Sequence, residues 1–227
     1  MRLVWLIARK EMSHLLNSAV FCLLGLVFVL MPAILLFWNP GPTNLFLSGH
    51  TSLQAFFQQL PILLMVFVPA LSMRAYAEEN RSGNLERLLS FPLSAGQLVL
   101  GKFFGCFAIL VGCLAATAPF PFLVSQMGDL DWGPVLGGYL GALLLAGSCL
   151  AVALFCGAFT KRQPTAFITS VIALAVVMLW RIPALNLHDR FQSVARGLID
   201  IRDLFFYLAV MLFFLFLNQG VVAHKRH

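Results

Sequence analysis

A chain of 227 residues that is 60% hydrophobic and 11% charged, with mean hydropathy +0.90, carries too few solvating side chains for a soluble domain. Several apolar runs of about 20 residues, the length a helix needs to cross a bilayer, follow one another, and the short alternating segments of a membrane barrel do not appear. The net charge of +6 lies in short basic clusters beside those runs, which reports membrane topology rather than a nucleic-acid face.

Residues 1–17 place Val4, Ile7, Ala8, Met12, Leu15 and Leu16 on one helical side and Arg2, Arg9, Lys10, Ser13 and Asn17 on the other. This pattern predicts an amphipathic helix lying in the interface, with Trp5 at headgroup level. Arg9, Lys10 and Glu11 interrupt the region where a cleavable signal would need its apolar core, so none is expected. A first span follows over 19–38. The uncharged, proline-containing segment from Asn39 to Gln59 reads as a loop. Further spans are predicted over 60–76, 98–124, 135–159, 165–180 and 204–222.

Eleven of the 15 basic residues fall on one side of this six-span arrangement. They are Arg2, Arg9 and Lys10, then Arg74, Arg81, Arg87 and Lys102, then Lys161 and Arg162, then Lys225 and Arg226. That side is cytoplasmic by the excess of positive charge, and both termini lie on it. The segment 181–203 departs from the rule, carrying Arg181, Arg190, Arg196 and Arg202 beside Asp189, Asp200 and Asp203. Phe191, Val194, Ala195, Leu198 and Ile199 recur in it at helical spacing, predicting a short amphipathic helix at the outer interface; the alternative is a cytoplasmic loop with a different span count.

The span cores lack Asp, Glu, Lys, Arg and His. Arg74 and Lys102 lie at cytoplasmic ends, from which long side chains are expected to snorkel to water. Carriers driven by ions or protons place ionisable groups within the membrane, so the driving force is expected from outside this chain. The five cysteines (Cys22, Cys106, Cys113, Cys149, Cys156) all lie in apolar runs and read as small packing residues, not as metal ligands or disulfides. Gly96–Lys102 reads GQLVLGK, but Phe103 stands where a phosphate-binding loop needs Ser or Thr, and the run opens an apolar span. It is a coincidental match. Gly101 and Gly105, like Gly137 and Gly141, are expected to let helices approach closely. Ser48-Gly49-His50 is similar to an element of membrane lipid phosphatases, yet that chemistry also needs basic clamps and a second histidine, which this sequence does not pair with it. No catalytic residue is assigned.

The polar stretch from Met73 to Lys102 contains seven of the 24 charged residues. Ser82-Gly83-Asn84 reads as a turn, and Asn84 can cap a short helix from Leu85 to Ser90 with Glu86 in its first turn; Pro92 ends it. Leu85, Leu88 and Leu89 give this helix an apolar side. The physics of these residues leaves two readings open, a partner-binding helix and a solvated connecting loop.

Three blocks resemble a known family. The first is the amphipathic start with Arg9-Lys10-Glu11. The second is SMRAYAEENRSGNLERLLSFPLSAGQLVLGKFFG. The third is DWGPVLGGYLGALLLAGSCLAVALFCGAFTKRQ, followed by ARGLIDIRDLFFYL. Together they resemble the permease subunits of ABC-2-type transporters, particularly the gliding-motility-associated type. Asn84 stands where that family usually has Thr, and Arg87 where an apolar residue is usual.

The resemblance implies an all-α polytopic membrane protein, a single transmembrane domain over 1–227 with residues 77–97 as a cytoplasmic coupling region. It further implies a bacterial inner-membrane location, pairing with a second copy or a related permease, and docking on a separate ATP-binding cassette subunit. Glu78, Glu79, Arg81, Gly83, Asn84, Leu85, Glu86, Arg87, Leu88, Leu89 and Pro92 would form the contact with that subunit. The cassette, not this chain, would hold ATP and Mg²⁺ and carry the ATPase activity. Phe191, Val194, Leu198 and Ile199 would belong to an external gate helix, and a membrane-anchored auxiliary subunit accompanies some relatives. Export is the expected activity; driving an envelope partner without transport is the alternative.

Overall fold

The computed structural model describes residues 2–38, 53–82, 94–160, 162–179, 187–197 and 200–224, and every regular element among them is a helix. They are α1 (Arg2–Leu16), α2 (Ala19–Phe37), α3 (Gln54–Ser82), α4 (Ala95–Ala116), α5 (Pro119–Ser125), α6 (Trp132–Phe159), α7 (Gln163–Leu179), α8 (Leu187–Ala195) and α9 (Ile201–His224). The helix starts follow local chemistry. At α4, Ser94 and Gln97 form a capping box with two 3.2 Å bonds, and at α6 the Asp131 carboxylate accepts from Gly133 N–H at 3.0 Å.

Four elements are long and apolar enough to cross a membrane: residues 54–76 of α3, the α4–α5 pair, α6 and α9. The first expected span reaches that standard only if α1 and α2 are taken together across a 78° bend, and α7, at 17 residues, is shorter. Two boundaries differ from expectation. Residues 54–59, expected in a loop, are the first turns of α3, because Phe56, Phe57 and Leu60 bury their side chains there and uncharged glutamines tolerate a helix. The expected span 98–124 is broken. α4 stops at Ala116, and α5 restarts with Pro119 at its first position, where the missing N–H costs nothing.

α6 lies at the centre, packed by α3, α4, α7, α8 and α9. Its apolar stretch is 72% enclosed by other helices, whereas that of α9 is 22% enclosed. Small residues make the central position feasible. Gly138 faces the Phe57 ring and Gly147 faces Met211, and a Cβ at either would come within 2.4 Å of those side chains.

The helix ends sort into two groups. Lys102 near the start of α4 touches Ala75 in α3, Gly96 lies beside Gln219 of α9, and Gly157 of α6 lies beside Ser72 and Tyr76. These contacts gather the end of α3, the start of α4 and the ends of α6 and α9 at one end of the bundle. α8 sits at the other end, against the start of α6 and of α9.

Candidate functional site

The polar end holds the arrangement with the most chemistry. α1 is amphipathic as expected on most of its surface: Ala8 and Leu15 are buried, while Arg9, Lys10 and Ser13 are exposed. Leu16, expected on the apolar side, is exposed, and Glu11 lies buried between Ala8 and Leu15. Its carboxylate accepts a hydrogen bond from Lys102 Nζ at 2.9 Å.

Lys102 corrects an expectation. It does not reach out to water: its side chain is fully buried at 0% exposure. The ammonium donates to Glu11 Oε1 on α1 and to the Ala75 carbonyl oxygen on α3, and it lies 5.0 Å from the centre of the Tyr76 ring. Position decides this outcome. Leu98, Val99, Gly101, Lys102, Gly105 and Cys106 share the buried arc of α4, so the lysine stem points into the bundle. A desolvated ammonium is tolerable only with close partners, and here an anion, a carbonyl and an aromatic face supply them.

Glycines bring α1 close enough for this contact. A Cβ at Gly101 would lie 2.7 Å from Ile7 Cβ, and one at Gly105 would lie 2.9 Å from the Ala8 carbonyl oxygen. A second tie lies at the same end, where Arg74 donates from α3 to Ser18 Oγ at the start of α2. Ser18 occupies the N-cap position of α2 yet makes no side-chain cap to that helix, its oxygen being turned to the arginine. Gly96–Lys102 lies within regular α4, so it makes no phosphate-binding loop.

Between Ser82 and Ser94 the chain runs through the expected contact region. Glu78, Glu79 and Arg81 extend the helical backbone of α3. Gly83, Asn84, Leu85, Glu86, Arg87, Leu88, Leu89 and Pro92 lie outside the described residues, as do His50, Lys161 and Lys225.

At the opposite end, α8 places Leu187, Phe191, Val194 and Ala195 inward and Ser193 outward. Gly141 of α6 admits it, since a Cβ there would lie 2.8 Å from Val194 Cγ1; Gly137 is also buried. Gly197, with φ +85°, ends the helix in a conformation suited to glycine. Arg190 pairs with the Asp203 carboxylate and lies 4.3 Å from the Phe206 ring, while Tyr207 OH donates to the Leu187 carbonyl at 2.8 Å. Leu198 and Ile199 lie outside the described residues. A cavity of about 180 Å³, lined in part by Gln54, Asp131 and Arg196, opens beside this helix.

The cysteines divide: Cys106 and Cys149 are buried, Cys113 and Cys156 half-buried, and Cys22 exposed. Sequence reasoning missed three participants, Glu11, Ser18 and Asn218. Glu11 had a readable signal, since it falls on the same arc as Val4, Ala8 and Leu15. Asn218 is fully buried in α9, and among the described residues neither of its side-chain polar atoms has a hydrogen-bond partner.

Comparison with known proteins places this geometry in context. The family model described as "ABC-2 family transporter protein" matches residues 42–223. The chain is 30% identical over 163 residues to the "Probable ABC transporter permease protein NosY" of Pseudomonas aeruginosa, covering 68% of this chain and 58% of that protein. It is 32% identical over 143 residues to the protein of the same name from Stutzerimonas stutzeri, covering 58% of this chain and 51% of the relative. The chain thus matches little more than half the length of these curated relatives.

Proposed function

The chain belongs to the ABC-2 family of transporter proteins, and from that membership we propose that it is the membrane subunit of an ATP-driven ABC exporter. Six spans, α2, α3, α4–α5, α6, α7 and α9, cross a bacterial inner membrane, with α1 along the cytoplasmic surface and α8 at the outer one. The end of α3 and the residues that follow it, from Glu78 to Pro92, dock on a separate cassette subunit that binds ATP and Mg²⁺. A second copy or a related permease completes the pathway. Closure of the cassettes pushes the docked segment, and the spans on either side carry that displacement towards α8.

One observation carries this reading. The helices on both sides of the polar stretch are joined by a buried contact, Lys102 to the Ala75 carbonyl, so a push on the stretch reaches α3 and α4 together. A merely solvated loop has no need of such a joint at its base. The segment's charge also suits a protein partner, since Glu78, Glu79, Arg81, Glu86 and Arg87 are too balanced for an anionic membrane surface.

The test is co-expression of the full chain with an ATP-binding cassette subunit from the same organism, purification, and reconstitution in vesicles. A stable complex whose ATP hydrolysis drives movement of a solute or lipid across the bilayer is expected. Failure to form a complex with the cassette overturns the reading. A complex that hydrolyses ATP and moves nothing, yet changes its grip on an envelope partner with nucleotide, would replace export with mechanical work on that partner.

A further inference from the structure

The residues at the base of the polar stretch form more than a packing contact. Lys102 stands 27 positions after Ala75 and 91 after Glu11, and it holds both at once. An ammonium offers three donors, and a fully buried one cannot trade them for water. If α4 slid past α3, or α1 lifted away, the charge would be left in an apolar interior without its partners. The joint therefore resists small sliding displacements and gives way only as a whole. Gly101 and Gly105 add to this, because without a Cβ they seat the α1 backbone directly on α4.

The neighbouring joint is built differently. α1 and α2 meet at a 78° bend through Asn17 and Ser18, with Ser18 leaving the first amides of α2 without its side-chain cap. α1 packs mainly on α4 and only slightly on α2. The helix is thus fastened to the base of the polar stretch, while its junction with the first span is pinned at Ser18 by Arg74 of α3 and carries little packing of α1 on α2.

We infer that Glu11 and Lys102 are positioning residues that lock α1, the end of α3 and the start of α4 into one rigid block, so that α1 travels with the segment between α3 and α4 and bends against α2. The inference rests on the proposed cassette-driven function and assigns a moving part to it: α1 is a strut of the drive, not a passive anchor on the membrane surface. The pair touches no substrate. It sets whether a push on the segment arrives as displacement of two spans or is lost in splaying them apart.

The experiment uses the full chain in complex with its cassette subunit in lipid nanodiscs, spin-labelled at Arg9 on α1 and Leu100 on α4, both exposed. The distance between the labels is read without nucleotide and with ATP and vanadate. The wild-type distance should be narrow and the same in both states, whereas a label pair at Arg9 and Leu26 of α2 should change. Lys102→Met should broaden the first distribution and lower the amount of co-purified cassette about tenfold. Lys102→Arg, which keeps a cation able to donate to both the Glu11 carboxylate and the Ala75 carbonyl, should restore a narrow distribution and the normal amount of cassette.

A nucleotide-dependent Arg9–Leu100 distance in the wild type overturns the inference, and this measurement stands even if Lys102→Met does not fold. An unchanged distribution in Lys102→Met overturns it too. Loss of the cassette from the wild-type complex is a separate outcome, which removes the proposed function and the strut with it.

Discussion

Position 102 places a lysine ammonium where an apolar span would ordinarily place a leucine, and it pairs with the Glu11 carboxylate at 2.9 Å. Removing one partner of a buried pair leaves the other charge desolvated, at a cost of about 3–5 kcal/mol, whereas replacing both with apolar groups can be near neutral. Lys102→Met should therefore lower thermal stability in detergent sharply. Adding Glu11→Leu should recover most of the loss, and additive losses from the two substitutions would show that the pair is not coupled. Asn218 tests the same physics with the opposite sign. Its amide is buried and its polar atoms have no partner among the described residues, so Asn218→Leu should be neutral or stabilising by about 1 kcal/mol in thermal unfolding. A large loss would show that the amide has a partner in the folded chain. Neither site was fully legible in the sequence. A helical wheel puts Glu11 among Ala8 and Leu15, but nothing local names a cation 91 residues away. Lys102 also sits within two turns of a helix start, where snorkelling is the ordinary outcome.

Elements were easier to read than their junctions. Apolar runs locate α2, α6, α7 and α9 to within a few residues, because lipid-length hydrophobicity is a property of the segment alone. The start of α3 and the α4–α5 break depend on tertiary contacts. Phe56 and Phe57 become helical by packing, and Tyr139 of α6 donates to the Thr117 carbonyl at 3.0 Å where α4 ends. Glycine spacing shows the same limit. Gly101 and Gly105 both meet α1, but on α6 the residue against Phe57 is Gly138, beside rather than at Gly137, since spacing does not say which face a neighbour will choose. Gly105→Val and Gly141→Val should each push a helix away, the first displacing α1 and the second α8, at about 1–3 kcal/mol. Gly112→Val, where nothing among the described residues lies within 4 Å, is the matched control. Equal melting temperatures for the Gly105 and Gly112 variants would show that α1 is not seated by its glycine contacts.

Across the whole molecule, charge and packing describe the same two ends. Arg9, Lys10, Arg74, Lys102 and Arg162 collect where α1 packs on the start of α4, while Asp131, Arg190, Arg196 and Asp203 collect around α8. The first end carries a strong excess of basic residues, as the proposed cytoplasmic side should, and the second is nearly balanced. α3 ends at Ser82 and Ser94 caps α4, both at the basic end. In intact cells, a cysteine replacing Asn84 should react with a membrane-impermeant thiol reagent only after the inner membrane is opened, while one replacing Ser193 should react beforehand. Glu86→Arg belongs to the same test, because reversing a charge in a docking segment should reduce cassette binding without altering insertion or labelling. The two results together separate orientation from docking. External labelling at position 84 would turn the bundle over and place the segment out of reach of any cytoplasmic ATPase. Correct labelling with undiminished cassette binding by Glu86→Arg would keep the orientation and move the contact elsewhere in the segment.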